Sequence, residues 1–191
     1  MTSILKADTI QDSSGNNIIN ENSNTITIGA SGDTTNIIGT LQNNGAAVGL
    51  AECSFRAYQS SSQGIPNVTS TQVTLDTEDW DTDNAFASST FTCPSDKAGK
   101  YIVVGAVRAD TSWASTDQFN VMIYRNGASN TGSMSSFSVR AGIGNSAVTV
   151  QIIDLSAGDT LKLYMYHNEG GSEGLQTGQE STYMAGTRIT S

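Results

Sequence analysis

The fold of this chain is decided by the stretch Phe119-Asn-Val-Met-Ile-Tyr-Arg-Asn-Gly127. Phe119, Val121 and Ile123 take alternate positions in it, and a period of two is typical of a half-buried β-strand. The pair Asn126-Gly127 ends the run, and Asn-Gly between apolar alternations is a strong hairpin signal. The stretch therefore predicts a strand that turns back in a hairpin.

Similar short runs, bounded by turn-forming residues, lie on both sides of this stretch. No segment shows a sustained helical period. Eight or more short strands separated by turns indicate an all-β fold, either a sandwich or a jelly roll. The predicted strands are 55–58, 72–75, 89–93, 101–107, 119–124, 136–140, 147–153, 160–166 and 182–189.

Composition supports this fold class and excludes two classes of partner. Only 14% of the 191 residues are charged, and Ser, Thr, Asn and Gly supply most of the polarity, as in strand-and-turn proteins. The formal net charge of -9 repels the phosphates of nucleic acid and anionic membrane surfaces. The densest apolar run, 102–107, is far shorter than the roughly 20 residues that cross a membrane. We expect a soluble chain with no export signal, no nucleic-acid partner and no membrane insertion.

Aromatic residues divide the chain into two parts. The two Trp, six Tyr and five Phe residues all lie at or after Phe55. Because bulky aromatic side chains dominate core burial, the part without them is not expected to fold alone. The remainder is long enough to build a core of ordinary size. We therefore predict a stem over residues 1–50 and a globular head over residues 51–191.

The stem carries a loose repeat of isoleucine. Ile10, Ile18 and Ile26 recur every eight residues, Ile28 and Ile37 follow, and Asn, Asp and Gly separate them. The pattern indicates very short strands. Each strand has too few apolar side chains to offset an ordering entropy of about 1–2 kcal/mol per residue. We predict an intertwined β-prism in which three copies point these five residues at a shared axis, and disorder of the segment is the alternative.

An ordered set of residues runs through the head, over about seven tenths of the chain. The set consists of Phe55, Ala57, Val73, Leu75, Asp76, Asp83, Asn84, Phe86, Phe91, Thr92, Pro94, Gly99, Tyr101, Asn126, Gly127, residues 155–159, Leu161, Leu163, Thr182, Tyr183 and Gly186. In this order and at these spacings it resembles the jelly-roll head shared by complement component C1q and tumour necrosis factor. The resemblance implies a jelly-roll sandwich and a homotrimer. The final strand departs from the pattern, because Met184, Thr187 and Arg188 stand where that family is usually more apolar and aromatic.

The stem contains the segments Ser3-Ile-Leu-Lys-Ala-Asp-Thr-Ile10, Ser14-Gly-Asn-Asn-Ile-Ile19 and Thr25-Ile-Thr-Ile-Gly29. They resemble amino-terminal segments of virion proteins from marine tailed phages, which implies an attachment or fibre element assembled in a host bacterial cytoplasm.

Cys53 and Cys93 are too few for a disulfide framework, and we expect free thiols in the reducing cytoplasm of a bacterial host. A bridge between the two cysteines is the alternative.

One acidic cluster offers candidate metal ligands, since carboxylate oxygens are the ligands that calcium prefers. It does not fit the EF-hand pattern, because Asn84 stands where the loop glycine belongs and Thr90 where the closing glutamate belongs. We therefore expect a solvated turn and no cofactor, with calcium as the alternative. The cluster consists of Asp76, Glu78, Asp79, Asp81 and Asp83.

Catalytic residue types are scarce. His167 is the only histidine, and no nucleophile elbow accompanies it. Glu169 and Glu173 are a carboxylate pair of the kind that cleaves glycosidic bonds, but their Gly-rich loop suits contact better than catalysis. Trp113 stands among turn formers, so it either anchors a sugar or partner protein or covers one end of the sandwich. We predict no enzyme activity and place possible ligand contacts at Trp113, His167, Glu169 and Glu173.

These observations predict a non-enzymatic virion structural protein of a phage. The expected form is a homotrimeric short fibre or spike, held to other virion proteins through the stem, whose heads bind a host-surface glycan or protein receptor. A capsid decoration protein that coats or stabilises the phage head is the alternative. A secreted cellular binding module is a more distant one.

Overall fold

The computed structural model describes residues 9–11, 13–15, 17–22, 25–29, 32, 34–35, 42–43, 46–47, 53–110, 113, 118–129, 134–138 and 144–190. The chain divides into two compact units, Met1–Ala51 and Glu52–Ser191, at boundaries one residue from those of the predicted stem and head. Every regular element in the described part is a strand. No helix there has the length and apolarity to cross a membrane.

The stem contains two small antiparallel sheets. Strands β1 (Thr9–Gln11), β2 (Asn17–Asn22) and β3 (Thr25–Ile28) form a three-stranded sheet in sequence order. Strands β4 (Gln42–Asn43) and β5 (Ala46–Ala47) pair with each other. The strands are as short as the isoleucine pattern predicts.

The head is built from fourteen strands within the described residues. In chain order they are β6 (Ser54–Tyr58), β7 (Gly64–Ile65), β8 (Thr71–Gln72), β9 (Thr77–Asp81), β10 (Phe86–Ala87), β11 (Thr90–Thr92), β12 (Gly99–Arg108), β13 (Gln118–Arg125), β14 (Ala128–Ser129), β15 (Ser135–Ser138), β16 (Ser146–Leu155), β17 (Thr160–His167), β18 (Glu173–Gly174) and β19 (Tyr183–Thr190). A five-stranded sheet has the order β16-β12-β19-β6-β9. A seven-stranded sheet has the order β10-β11-β17-β13-β14, with β15 on β13 and β8 on β17. A short ribbon pairs β7 with β18.

The two sheets pack face to face around one core. Alternate residues of each strand point inward, so that Leu161, Leu163 and Met165 of β17 are buried while the residues between them are half-buried. Phe55 forms the centre, since its ring stacks on Phe91 with centroids 4.3 Å apart and on Phe86 at 5.4 Å. The alternation read from the sequence therefore places the core correctly.

The hairpin predicted at Asn126-Gly127 is confirmed. Both residues have positive φ, 52° and 79°, as the turn between β13 and β14 requires. The Asn126 amide donates a hydrogen bond to Asp159 at 2.7 Å, and the backbone N–H of Ser156 donates another at 2.8 Å. The Asn126 hydrogen bond, the Ser156 amide and the nearby Arg125 hold the pKa of Asp159 below its ordinary value, although burial acts in the opposite direction.

The acidic stretch after Asp76 differs from the expected solvated turn. Thr77–Asp81 is β9, the edge strand of the five-stranded sheet, and it pairs with β6. Arg56 of β6 forms an ion pair with Asp79, so the carboxylate is neutralised across the strand pair. Negative charge at a sheet edge also discourages pairing with another chain's backbone. Sequence pattern missed this strand because four of its five residues are charged or polar and the fifth, Trp80, is exposed.

Candidate functional site

The outward face of the five-stranded sheet is apolar. On β16, the side chains of Val148, Val150 and Ile152 are 50%, 56% and 63% exposed. On neighbouring β12, Val104 pairs with Val150 and Ile102 pairs with Ile152. These residues, with Ala185 and Ile189 of β19 and Trp80 of β9, form what we call the apolar face. Single exposed apolar residues are ordinary, whereas a contiguous set of them marks an interaction surface.

Charged groups lie at the border of the apolar face. At one end, Lys100 pairs with Asp154 across β12 and β16. On the β6 side, the guanidinium of Arg56 stacks on the rings of Tyr183 and Trp80, at 4.7 and 5.8 Å from their centroids. An apolar centre with a charged rim is the arrangement found in protein–protein interfaces.

A cavity of about 300 Å³ opens within the apolar face, beside Trp80. Phe55 and Gly186 contribute to its wall, together with Ile102 and Val104 of β12 and with residues from three other strands. The cavity is large enough for a bulky apolar side chain of a partner. Its lining residues are Ser54, Phe55, Trp80, Ile102, Val104, Ala185, Gly186 and Thr187.

The outward face of the seven-stranded sheet has a different chemistry. Tyr124 of β13 and Tyr164 of β17 stack with ring centroids 3.8 Å apart and an angle of 14° between the planes. Tyr166 is the next outward residue along β17 and pairs with Asn120. We call these residues, with Met122 and Lys162, the tyrosine face. All three tyrosines are half-buried.

Trp113 and His167 do not offer their side chains to a ligand. Trp113 is 1% exposed and its indole N–H donates to the carbonyl oxygen of Gly174 at 3.0 Å. His167 is 0% exposed, with Nε2 2.8 Å from the carbonyl oxygen of Ile65 and Nδ1 3.2 Å from the amide nitrogen of Glu169. Because both side chains are buried, the structure does not support the predicted ligand contacts at these two residues. Of the two roles weighed for Trp113, the structure shows the core one.

These two rings fasten the β7–β18 ribbon to the sandwich. They contact each other with centroids 4.8 Å apart, and Phe119 lies against Trp113 at 5.2 Å. Glu169 and Glu173, the other two predicted contact residues, are half-buried. Glu169 follows β17 and Glu173 begins β18. Sequence alone could not assign the histidine to the core, because the strand that supplies the carbonyl oxygen of Ile65 lies 102 positions away in the chain.

The acidic cluster is occupied by donors of the chain itself. Asp76 accepts a hydrogen bond from the amide of Ser60 at 2.6 Å, and Asp81 accepts one from the amide of Phe86 at 2.7 Å. Burial raises the pKa of Asp76, but the hydrogen bonds from Ser60 and its neighbour outweigh burial and bring that pKa below its ordinary value. Among the described residues, no three His, Cys, Asp or Glu side chains come together as a metal site.

The two cysteines are free and buried on either side of one phenol. Burial raises the pKa of Cys53 to about 11, and it also raises the pKa of Cys93. The hydroxyl of Tyr101 donates to the carbonyl oxygen of Lys97 at 2.7 Å, and the sulfur of Cys93 lies 3.8 Å from that hydroxyl. Because the thiolate is the reactive form, burial disfavours reaction of these thiols at neutral pH.

The stem shows which isoleucines share a face. Ile10 pairs with Ile19, and Ile19 pairs with Ile28, so the three form a row across the sheet. Ile26 lies on the same face as Ile28, and Ile18 lies in β2 at the register shift between β1 and β2. Three of the predicted axis residues, Ile10, Ile26 and Ile28, thus share a face with Ile19. Ile37 lies outside the described residues, and the shared trimer axis stays a prediction.

Comparison with known proteins identifies the fold of the head. No protein-family model and no curated protein matches the sequence. Among solved structures, the globular domain of zebrafish complement 1qA matches 73% of this chain and 98% of its own, with 13% identity and a TM-score of 0.52. Eiger TNF from S. frugiperda matches 73% and 93% of the two chains, with 12% identity and a TM-score of 0.55. Murine APRIL at pH 5.0 matches 72% and 99%, with 13% identity and a TM-score of 0.54.

At such low identity the similarity shows the fold and no shared activity. Each solved domain is covered almost completely, so the similarity spans a whole domain and more than a motif. The expectation of an all-β jelly roll is confirmed. The head of this chain has the jelly-roll fold of C1q and TNF domains.

Proposed function

We propose that this chain is a non-enzymatic virion surface protein of a tailed phage, which forms a homotrimeric short fibre or spike and binds the host surface through its heads. Support for the phage assignment comes from the amino-terminal segments quoted above. Support for a binding role comes from the C1q- and TNF-like fold of the head and from its two chemically distinct outward faces.

The apolar face is the observation that carries this proposal. A chain with a net charge of -9 repels its own copies, so copies of it associate through a surface without net charge. The centre of the apolar face meets this condition, since Val104, Val150 and Ile152 occupy it and the charged groups lie at its border. Burying such a patch against a second copy removes apolar area from water at about 25 cal/mol per Å².

Three copies fit the stem as well as the head. The row Ile10, Ile19 and Ile28 lies on one face of a three-stranded sheet, and all three side chains are exposed in the single chain. A sheet of this size with one apolar face becomes stable when another layer covers that face. Neighbouring copies around a threefold axis supply such a layer.

Trimeric display gives weak binding sites a useful strength. Three identical sites on one particle convert the second and third contacts into intramolecular ones, and avidity exceeds the single-site affinity by about 10²–10⁴. No catalytic group is needed for this mechanism. The only histidine of the chain is buried against backbone atoms.

The mass of the intact chain in solution tests this proposal. Light scattering over a wide concentration range is expected to give three times the 20.0 kDa of one chain. A stable monomer at all concentrations would refute the proposal.

A reconstruction of the virion then locates the chain. Density at a fibre or spike supports the receptor-binding role, and density spread over the capsid surface supports decoration instead.

A further inference from the structure

We infer that the tyrosine face is a binding site for a neutral glycan. This inference rests on the proposed function, because it names the ligand class and the surface through which the displayed heads would bind. It begins from the position of Tyr124, Tyr164 and Tyr166 on neighbouring strands of a rigid sheet. Such a scaffold holds the rings in place before any ligand arrives, and this preorganisation lowers the entropic cost of binding.

The aromatic groups suit the C–H face of a sugar ring. Tyr124 and Tyr164 are locked together by their stacking, so their rings present a fixed apolar surface. Tyr166 stands two residues from Tyr164 on the same strand, at a backbone spacing of roughly 6.8 Å. That spacing is about the length of one sugar unit. Tyrosine adds a hydroxyl to each apolar ring, so one side chain serves both sides of an amphipathic ligand.

The groups around the tyrosines suit sugar hydroxyls. Exposed hydroxyls come from Thr92 of β11, Ser129 of β14 and Ser136 of β15, whose positions in register share this outward face. Asn120, which pairs with Tyr166, has an amide oxygen without a hydrogen-bond partner and is 8% exposed. A buried acceptor of this kind is stabilised when a ligand or a bridging water donates a hydrogen bond to it.

The charge of this face favours a neutral ligand. In a chain with twice as many acidic as basic residues, Lys162 is the one charged residue among the described outward positions of β13 and β17. A single lysine gives these positions little charge of their own, and the net charge of -9 disfavours long polyanions.

The same face is a poor match to a protein partner. Protein interfaces have a desolvated apolar centre. Among the large exposed hydrophobic residues described in the head, Met134 lies at the border of this face, because it directly precedes β15. Val68 lies in the loop before β8, and Trp80, Val148, Val150, Ile152 and Ile189 belong to the five-stranded sheet. The described part of the tyrosine face therefore has aromatic and hydroxyl groups, with Met134 as a single exposed apolar side chain at its border, and this combination suits a glycan.

Fluorine NMR of the full chain labelled with 3-fluorotyrosine tests the inference. The chain has six tyrosines, so six signals are expected, and single Tyr→Phe variants assign them. The probes are three neutral polysaccharides, mannan, laminarin and a galactan, with alginate as the anionic control. At least one neutral probe is expected to shift the signals of Tyr124, Tyr164 and Tyr166. Signals of Tyr58 and Tyr183 on the other sheet, and of buried Tyr101, are expected to stay in place.

The inference is overturned if no neutral probe shifts the signals of Tyr124, Tyr164 and Tyr166. It is also overturned if the signals of Tyr58 and Tyr183 shift as much as those three. Affinity electrophoresis in gels containing the bound polysaccharide gives a second readout. Tyr164→Ala is expected to weaken retardation by about ten-fold, as at an aromatic binding hot spot. Tyr164→Phe keeps the ring and most of the retardation, and Tyr58→Ala is the matched control.

Two further measurements separate the ligand class and the proposed function. If binding to host cells survives periodate oxidation of their sugars but is lost with Tyr164→Ala, the partner is a protein and the glycan assignment is wrong. If the chain is a monomer but Tyr164→Ala still abolishes retardation, the trimeric display fails and the glycan site stands. If the chain is a trimer that no neutral probe retards, the glycan site fails and trimeric display stands.

Discussion

The two outward faces of the head differ in chemistry although one strand pattern builds both. On the five-stranded sheet, the outward positions of β12 and β16 carry Ile102, Val104, Val150 and Ile152. On the seven-stranded sheet, the outward positions of β13 and β17 carry tyrosine, asparagine, lysine and methionine. Exposure to water is unfavourable for the aliphatic side chains of the five-stranded sheet. It costs less for the polar groups of the seven-stranded sheet.

The proposed function assigns separate roles to the two sides of the sandwich. Core packing fixes the inward residue of each pair, so the outward residue is free to vary with the role of that side. The apolar face gains free energy when a second copy covers it, whereas the tyrosine face can stay open to a small polar ligand. Four predictions test this division, beginning with the largest expected effect.

The double substitution Val150→Lys and Ile152→Lys should abolish self-association. Each lysine places an unpaired charge where the second copy would bury it, and we expect the dissociation constant to rise by about 100-fold or more. Analytical ultracentrifugation measures the effect. The double substitution Thr92→Lys and Ser136→Lys is the matched control, since it adds the same two charges at exposed strand positions of the other sheet. Equal loss of association in the control would contradict the assignment of the apolar face.

Gly186→Ala should destabilise the core directly beneath the apolar face. A Cβ at Gly186 would lie 2.7 Å from a ring carbon of Phe55, whose ring is already stacked on Phe91. We expect a loss of about 1–3 kcal/mol in the free energy of unfolding, as for other overpacked cores. Urea unfolding measures it. Gly171→Ala, at an exposed loop position, should change the free energy by less than about 0.5 kcal/mol, and a similar loss in both variants would refute the packing argument.

Asp159→Asn should weaken the turn region beside the seven-stranded sheet in a pH-dependent way. The pKa of Asp159 is lowered in the folded protein, so its contribution to stability is present above the unfolded pKa of about 3.9 and is lost as the pH falls through the folded pKa. At pH 7 we expect a cost of about 1–2 kcal/mol for the hydrogen bonds of the charged group. Thermal unfolding from pH 7 to pH 2 should show the difference between wild type and variant shrinking below about pH 4. A difference that stays constant with pH would contradict this.

Tyr166→Ser should have the smallest effect on self-association and stability. It changes the tyrosine face alone, so the free energy of association between copies should change by less than about 0.5 kcal/mol. Ultracentrifugation of this variant beside the Lys double variant compares the two faces directly. A large loss of association with Tyr166→Ser would mean that copies associate through the seven-stranded sheet.

Particular residues show how far sequence reasoning reaches. The alternation around Val121 and Ile123 predicted a strand with the correct inward face, because period two is a local property of the chain. Thr77–Asp81 was missed as a strand, since its charged residues are compensated by Arg56 from β6 and not by neighbours in sequence. The eight-residue spacing in the stem did not predict that Ile19 pairs with both Ile10 and Ile28, because pairing register cannot be read from spacing.

The candidate binding residues also depend on contacts between residues far apart in the chain. Trp113 and His167 were chosen as rare residue types in predicted loops, but burial is set by what folds over them. The tyrosine face was overlooked because its residues come from β13 and β17, which lie about 40 positions apart in the chain and meet only in the sheet.

The sequence by itself determined the all-β class, the hairpin at Asn126-Gly127 and the inward residues of the long strands, because these depend on local periodicity, turn chemistry and composition. Only the tertiary structure decided which outward residues stand side by side, which rings are buried and which acidic groups are neutralised. Those properties arise from pairing between strands far apart in the chain, and pairing register follows from the free energy of the whole core.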